Sequence, residues 1–511
     1  MVPELGFSRI ESDRIPNRIP ELAQYFTPSW VCRLMVDHLS DINPHIVADI
    51  AVGKGELLWH AKRKWKHCQV FGFDIDKNLA EHCKERFGSG GYFSSADTLK
   101  KPSYDMIAIM HPGHSGGADL VLSNPPFGVI QLENVDGELA ELLRRHKLAT
   151  VGNGKKENVR AETAFFVKNL QILDNGGSLA ILLPESVLSG AKTENFRRFV
   201  LQSTHVNYVL MLPVKSFDSN EARICVLVVQ KNRQRKERKA DTTIGIKSSK
   251  RGRIVRETIN QNQLLKRMDP KFHLSWNHFD GTNTRFMPLA HYVSACRRGH
   301  GFYNEEKKLI TKEAGRAYLH SVDIDPYVLR ELHKLRTVPE SVAERSLNAW
   351  VRNEDILLVR VGKGCAGRCG IALGLDKGGF ASDCLYVIRS KSINPYYLCL
   401  FLNSSFAKKY LDACKRGVSS QYITKDDLLN LPIFVPDVKT VRTLANTFAE
   451  TVHTPICSEN PKAFSRIMKR LIRRIDILTD NTLLDESKID LGYADESAES
   501  TTSSHNGNGS E

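Results

Sequence analysis

The chain has 511 residues and a formal net charge of +14, with a pI near 9.2. That length allows two or three domain cores, and 41% hydrophobic with 25% charged residues is ordinary for a soluble globular protein. So strong a positive balance favours a polyanionic partner, nucleic acid before an anionic membrane surface. No apolar run approaches membrane-spanning length, and no secretory signal is expected, because Met1-Val-Pro-Glu-Leu-Gly lacks a charged region and an apolar region. The 11 scattered cysteines read as free thiols in a reducing cytoplasm. Cys365 and Cys369 have no second ligand pair at zinc spacing, so no metal is expected.

After a polar start, Tyr25-Phe26-Thr27-Pro28 leads into an amphipathic pattern over about 29–39. Thr27 before Pro28 looks like a helix start, with unpaired backbone donors that suit a ligand carboxylate. Ile46-Val-Ala-Asp49-Ile-Ala51-Val-Gly53-Lys54-Gly55 then gives a short strand and a Gly-x-Gly turn into a helix. Alone this is a weak signal, but small residues at 51, 53 and 55 beside Asp49 let a nucleoside lie close to the backbone. No phosphate-cradling loop follows, which argues against ATP or GTP.

Two further strand ends carry carboxylates, Val70-Phe-Gly-Phe-Asp74 and Tyr92-Phe-Ser-Ser-Ala-Asp97. An acidic residue about twenty positions after the glycine turn typically accepts from ribose hydroxyls. The next strand, 119–123, stops at Asn124-Pro125-Pro126-Phe127, because neither proline can donate to a ladder. Read alone, those four residues are equally a strand-terminating turn. Together with three carboxylate-tipped strands, they place an amide, a fixed carbonyl and an aromatic ring at the sheet edge where ligands bind.

A helix is expected over 162–173, a buried strand over 178–183, a helix over 195–202 and two strands over 208–212 and 222–229. These complete a doubly wound Rossmann-like domain over 1–235. Residues 231–253 hold ten Lys/Arg against two acidic residues and read as part of a basic linker over 236–263, compatible with phosphate contacts. A mixed α/β domain is expected over 264–445, with strands at 355–361 and 383–388 and a helix over 397–411. The remainder, 446–511, reads as a basic amphipathic helix over 461–478 and a disordered acidic tail.

These stretches in this order closely resemble the gamma-type N6-adenine DNA methyltransferases of restriction–modification systems. The shared pieces are Phe26-Thr27-Pro28, the Asp49-to-Gly55 turn, the acidic strand ends and Asn124-Pro125-Pro126-Phe127, over roughly 20–440. The resemblance implies an S-adenosyl-L-methionine-dependent methyltransferase sheet. In it Thr27, Asp49 and Gly53 would face the cofactor's methionyl end, with Ala51 and Gly55 also cofactor-binding as small residues beside the nucleoside. Asp74 would hold its ribose, and Asp97 and Phe165 its adenine. Asn124, Pro125, Pro126 and Phe127 would be catalytic, with Phe127 and Phe217 packing on a flipped target base. Ile50, Val52 and Lys54 depart from the usual turn of that family.

The second region resembles the target-recognition domains of type I specificity subunits, through Arg267-Met-Asp-Pro-Lys-Phe272, 355–364, 394–404 and 417–432. Double-stranded DNA is the implied partner, with a cognate restriction endonuclease or a specificity subunit as a further one, in the cytoplasm of a bacterium. A fused nuclease has no expected room on either flank.

Adenine's exocyclic amine is a weak nucleophile, its lone pair being delocalised into the ring. The Asn124 oxygen and the Pro125 carbonyl offer two acceptors that can take both amine hydrogens and stabilise the charge that develops on nitrogen. Cytosine-C5 methylation is set aside because Glu133-Asn-Val and Glu157-Asn-Val have no accompanying Pro-Cys nucleophile. Cytosine-N4 methylation, which usually carries Ser where Asn124 stands, stays as the alternative. RNA or protein-glutamine methylation and a non-enzymatic DNA-binding specificity module stay behind it, the first disfavoured by the recognition-type domain and the second by the intact site set.

Overall fold

Short apolar runs alternating with amphipathic helices bury themselves only by lining up as one sheet with helices on both faces. The computed structural model describes residues 18–490 apart from 20–23, 40, 113–115, 153–155, 218–222, 232–240, 277–284, 312, 330–334, 418–419 and 455–459. The chain divides into two compact units, Met1–Asn277 with Lys415–Tyr422, and His278–Cys414 with Ile423–Glu511.

The first unit is built on nine strands: β1 (Ile46–Asp49), β2 (Gln69–Asp74), β3 (Gly91–Ser95), β4 (Ala118–Ser123), β5 (Leu173–Pro184), β6 (Thr204–Met211), β7 (Ile224–Lys231), β8 (Asp241–Lys247) and β9 (Ile254–Asn260). Their spatial order is β9-β8-β6-β7-β5-β4-β1-β2-β3. β3, β2, β1, β4 and β5 run parallel, and β7 lies antiparallel between β5 and β6. This is the doubly wound α/β class expected from the sequence. The order reverses between β1 and β4, and a switch point of this kind opens a crevice at the carboxyl ends of the strands. Asp49, Asp74 and Ser123-Asn124 all stand at that end.

Period-2 alternation divides each strand between two cores. Val47 points into one with Val31 and Cys32 of helix α1 (Ser29–Asp37), Leu57 and Leu58 of α2 (Glu56–Lys64) and Phe87 of α3 (Lys77–Phe87). Ile46 and Ala48 point into the other, with Met106 of α4 (Ser103–Met110), Leu139 of α5 (Gly137–Arg145) and Phe166 of α6 (Ala161–Ile172). All but one of the residues of α6 are buried, including Lys168, whose ammonium pairs with Asp136 at 2.7 Å.

The boundary after the sheet differs from the sequence expectation. The basic stretch expected as a linker over 236–263 contributes β8, parallel to β6, and β9, antiparallel to β8. The reason is apolar: Ile244 and Ile259 are fully or nearly fully buried in the sheet core, so these strands belong to it despite the charges on their other face. Residues 232–240 of the basic run lie outside the described residues. Arg267-to-Phe272, expected to open the recognition domain, also belongs to the first unit. There Met268 donates to the carbonyl of Leu188 at 3.0 Å, and the buried Arg267 guanidinium pairs with the buried Asp269 carboxylate at 2.7 and 3.0 Å.

The second unit is mixed α/β. A five-stranded sheet orders Val293–Arg298, Leu385–Ser390, Ile356–Val359, Cys369–Ile371 and Tyr327–Val328, and a four-stranded sheet orders Arg336–Val338, Arg316–Leu319, Gly379–Ala381 and Trp350–Val351. Asp355 clamps Arg389 with two bonds of 2.8 and 2.7 Å. The single helix expected over 397–411 is two, Pro395–Leu402 and Ser405–Cys414, broken where the Asn403 amide donates to the carbonyls of Cys399 and Cys369. The basic helix runs further than expected, Pro461–Asp490. The acidic tail beyond it lies outside the described residues. Among the described residues no helix is long and apolar enough to cross a membrane.

Candidate functional site

Two pockets open along the carboxyl edge of β1, β2 and β4 and meet at Ala51 and Pro126, which line both. The first is lined by Phe26, Thr27, Asp49, Gly53, Asn124 and Pro125, among others. The second is a cleft of about 540 Å³ lined by Asp74, Asp97, Phe127, Phe165, Ile75 and Leu99, among others. That size suits a small organic ligand.

The glycine turn shapes the first pocket. Gly53 has a φ of +54°, and a Cβ there would come 3.1 Å from the Phe26 ring, so glycine is required both by conformation and by the approach of Phe26. The Gly53 N–H donates to Asp74 Oδ2 at 2.8 Å and the Asp76 N–H to Asp74 Oδ1 at 3.0 Å. Asp74 thereby ties the end of β2 to the turn after β1, while still lining the second pocket.

Asp49 is 1% exposed and accepts the Ala51 N–H at 3.0 Å. Burial, reinforced by the nearby Asp74 charge and only partly offset by that hydrogen bond, pushes its carboxyl up to about 8. A carboxyl this costly to ionise beside an open pocket suits a ligand that brings a positive charge.

The Asn124 amide nitrogen donates to the Thr27 hydroxyl at 2.9 Å. Thr27 is buried and precedes α1, whose N-terminus has Pro28 as its cap residue. The bond spans 97 positions of sequence and leaves the amide oxygen as the acceptor end of the side chain. Downstream, the loop is held by Ala161, whose N–H donates to the Gly128 carbonyl at 2.9 Å. It is also held by the fully buried Glu162, which accepts the Gly128 N–H at 3.4 Å while taking the Arg160 guanidinium at 2.6 Å. A small sheet of Val129–Gln131, Thr150–Val151 and Glu157–Arg160 follows, and its first strand lines the second pocket.

Of the residues singled out from sequence, Thr27, Asp49, Ala51, Gly53, Asp74, Asp97, Asn124, Pro125, Pro126, Phe127 and Phe165 all line one pocket or the other. Gly55 lines neither. It caps α2 at a φ of +78°, and a Cβ there would meet Cys83 and Phe87 at 3.0 Å, so its place is the packing of the turn against α3. Phe217 lines neither as well; its side chain is buried in the core beneath α1 and α2.

Several lining residues were missed. Lys54 is buried and sits 4.9 Å over the Phe26 ring, and Glu56 is held by Arg86 at 2.8 Å. The departure of the turn from the family pattern at Lys54 was their signal. Ile75, 55% exposed yet aliphatic, sits beside Asp74 in the second pocket, and its position in Asp74-Ile-Asp76 could have marked it.

Among families of known proteins, N-6 DNA Methylase matches residues 17–286, more than half of the chain. The type I restriction enzyme MpnII methylase subunit of Mycoplasma pneumoniae (strain ATCC 29342 / M129 / Subtype 1) is 23% identical over 233 residues, 42% of this chain and 41% of that one. The type II methyltransferase M.VspI of Vibrio sp. (strain 343) is 26% identical over 179 residues, 35% of this chain and 40% of that one. The match therefore spans about two fifths of the length of these relatives. Among solved structures, the type IIL restriction-modification enzyme MmeI in complex with DNA aligns with a TM-score of 0.53 at 12% identity, covering 88% of this chain and 72% of that one, a likeness of fold.

Proposed function

The chain belongs to the N-6 DNA methylase family, and from that premise we propose that it methylates the N6 amine of an adenine flipped out of duplex DNA. In this reading it is the modification component of a restriction–modification system, S-adenosyl-L-methionine is its cofactor, and a cognate nuclease or specificity subunit in a bacterial cytoplasm is its further partner. The supporting observation is the Asn124 amide, oriented by Thr27 in the first pocket, two residues before Pro126, which lines both pockets.

The residues fit this cofactor. The first pocket offers the Asp49 carboxyl to a cationic methionyl end. The second offers Asp74 and Asp97 to ribose and adenine, and an apolar slot of Ile75, Leu99 and Phe165 to the purine. When bound, S-adenosyl-L-methionine supplies an electrophilic methyl group on a sulfonium.

The chain's own residues act on the base. The Asn124 oxygen and the Pro125 carbonyl accept the two amine hydrogens, which draws the nitrogen toward tetrahedral geometry and stabilises its developing charge. Flipping costs roughly a few kcal/mol, and stacking on Phe127 returns about 1–3 kcal/mol. Phosphate contacts supply the remainder. No general base is assigned, since the methylated nitrogen carries a positive charge and can lose its proton to water.

The test is incubation of the protein with S-adenosyl-L-methionine and genomic DNA, followed by modification-aware sequencing. N6-methyladenine at one recurring sequence is the expected result. N4-methylcytosine would replace the base assignment, and methylation confined to RNA or protein would defeat the reading.

A further inference from the structure

Helix Pro461–Asp490 lies outside the residues that match the methylase family. Phe464, Met468, Leu471 and Ile475 are buried, which docks one face in the second unit. Asp476 fixes it further by accepting from the backbone N–H and the hydroxyl of Ser405, each at 2.8 Å. The opposite face carries Lys462, Arg466, Lys469 and Arg473, all exposed. Their spacing of i, i+4, i+7 and i+11 puts them in one stripe along the axis. Arg470 and Arg474, also exposed, flank it.

This arrangement opposes helix stability. Lys462/Arg466, Arg466/Arg470, Lys469/Arg473 and Arg470/Arg474 are like-charge pairs at i,i+4, which repel. The first turn has no acidic residue, so cations occupy the end where the helix dipole disfavours them. None of the six is ion-paired with a described residue. A cost without local relief points to an external anion.

We propose that this stripe tracks the phosphate backbone of duplex DNA. From Lys462 to Arg473 it spans about 16 Å at 1.5 Å per residue, a length of duplex axis over which each strand presents about five phosphates at 3.4 Å of rise. The apolar face that a membrane would need is already buried in the unit. The inference rests on duplex DNA being the substrate, and it adds a second, sequence-independent hold outside the family-matched region.

The test measures affinity for a duplex oligonucleotide across about 50 to 200 mM salt. The comparison is between wild type and a variant with Lys462→Gln, Arg466→Gln, Lys469→Gln and Arg473→Gln. If each cation neutralises one phosphate, the slope of log affinity against log salt falls by about 3.6, and binding at about 0.15 M salt weakens tenfold or more. The charge-preserving exchange Lys462→Arg, Arg466→Lys, Lys469→Arg and Arg473→Lys retains the slope. Because neutralisation removes repulsion, the melting temperature stays level or rises; a drop would assign the cations a structural role and overturn the proposal. An unchanged slope, with wild type binding duplex in a salt-dependent way, overturns the stripe alone. A wild type that does not bind duplex DNA overturns the proposed function as well.

Discussion

Cofactor binding should release a proton from Asp49. In the open site this carboxyl stands at about 8 against an ordinary value of 3.8, raised first by burial and then by the charge of Asp74, with the Ala51 N–H pulling the other way. At neutral pH it is therefore about nine-tenths protonated. A ligand carrying ammonium and sulfonium charges favours the ionised form. If the occupied site holds the carboxyl below about 6, binding at pH 7 expels roughly 0.8–0.9 proton, and affinity gains about tenfold between pH 7 and the plateau above pH 8. Calorimetry in buffers of different ionisation enthalpy counts the protons directly. Asp49→Asn separates this carboxyl from the cofactor's own titrating amine, since only the carboxyl's contribution disappears in the variant. Proton release that is the same in wild type and Asp49→Asn would refute the reasoning.

The same group sets a stability trend without cofactor. Its folded value lies above its unfolded one, so the native state holds the extra proton. Its contribution is fully present below about pH 4 and is lost as pH rises through about 8.

Three further outcomes are expected. Asn124→Ala removes one acceptor of the developing charge and should lower kcat by about 10²–10³-fold or more, while S-adenosyl-L-methionine and DNA titrations change little; near-normal turnover would sink the mechanism. Thr27→Val takes away the partner of the Asn124 amide, a loss of about 1–3 kcal/mol, and should reduce kcat more than it raises KM, with Thr27→Ser restoring both; a Ser variant as poor as the Val one would remove the positioning role. Asp269→Asn leaves the buried Arg267 without its counter-charge and should cost about 3–5 kcal/mol in urea unfolding. In the wild type, burial works to raise the Asp269 carboxyl, but the Arg267 charge and hydrogen bonds outweigh it and hold the group below the usual carboxylate range. That pair's stabilisation is thus full above about pH 4 and is lost as pH falls below it, and acid unfolding of the Asn variant should lack this component.

Asp49, Asp74 and Asn124-Pro125-Pro126-Phe127 were legible because each belongs to a local pattern, an apolar run and the residues that end it; Asp97, expected as a third strand tip, stands two residues past its strand, which ends at Ser95. Gly53 was legible for the same reason, its turn being written within a few residues. Misjudged features depend on partners far away in the chain. β8 and β9 looked like a linker because lysines and arginines dominate the composition of 231–253, yet two isoleucines reaching the core suffice to enlist them, and charge on the other face is ordinary for strands near a sheet edge. Phe217 could be assigned to a base only by resemblance, since an aromatic before a strand is equally a core residue, and here its side chain lies in the core.

Thr27 is the instructive middle case. Its place in the pocket was foreseen, but its bond to Asn124 joins two segments that no local pattern connects. That bond changes what the residue is for. A hydroxyl expected to meet the cofactor also fixes which end of the Asn124 amide is left to accept, so the two halves of the site share a single orientation. Any substitution that disturbs the Phe26-Thr27-Pro28 entry to α1 should therefore be felt at the Asn124 amide before it is felt in cofactor affinity.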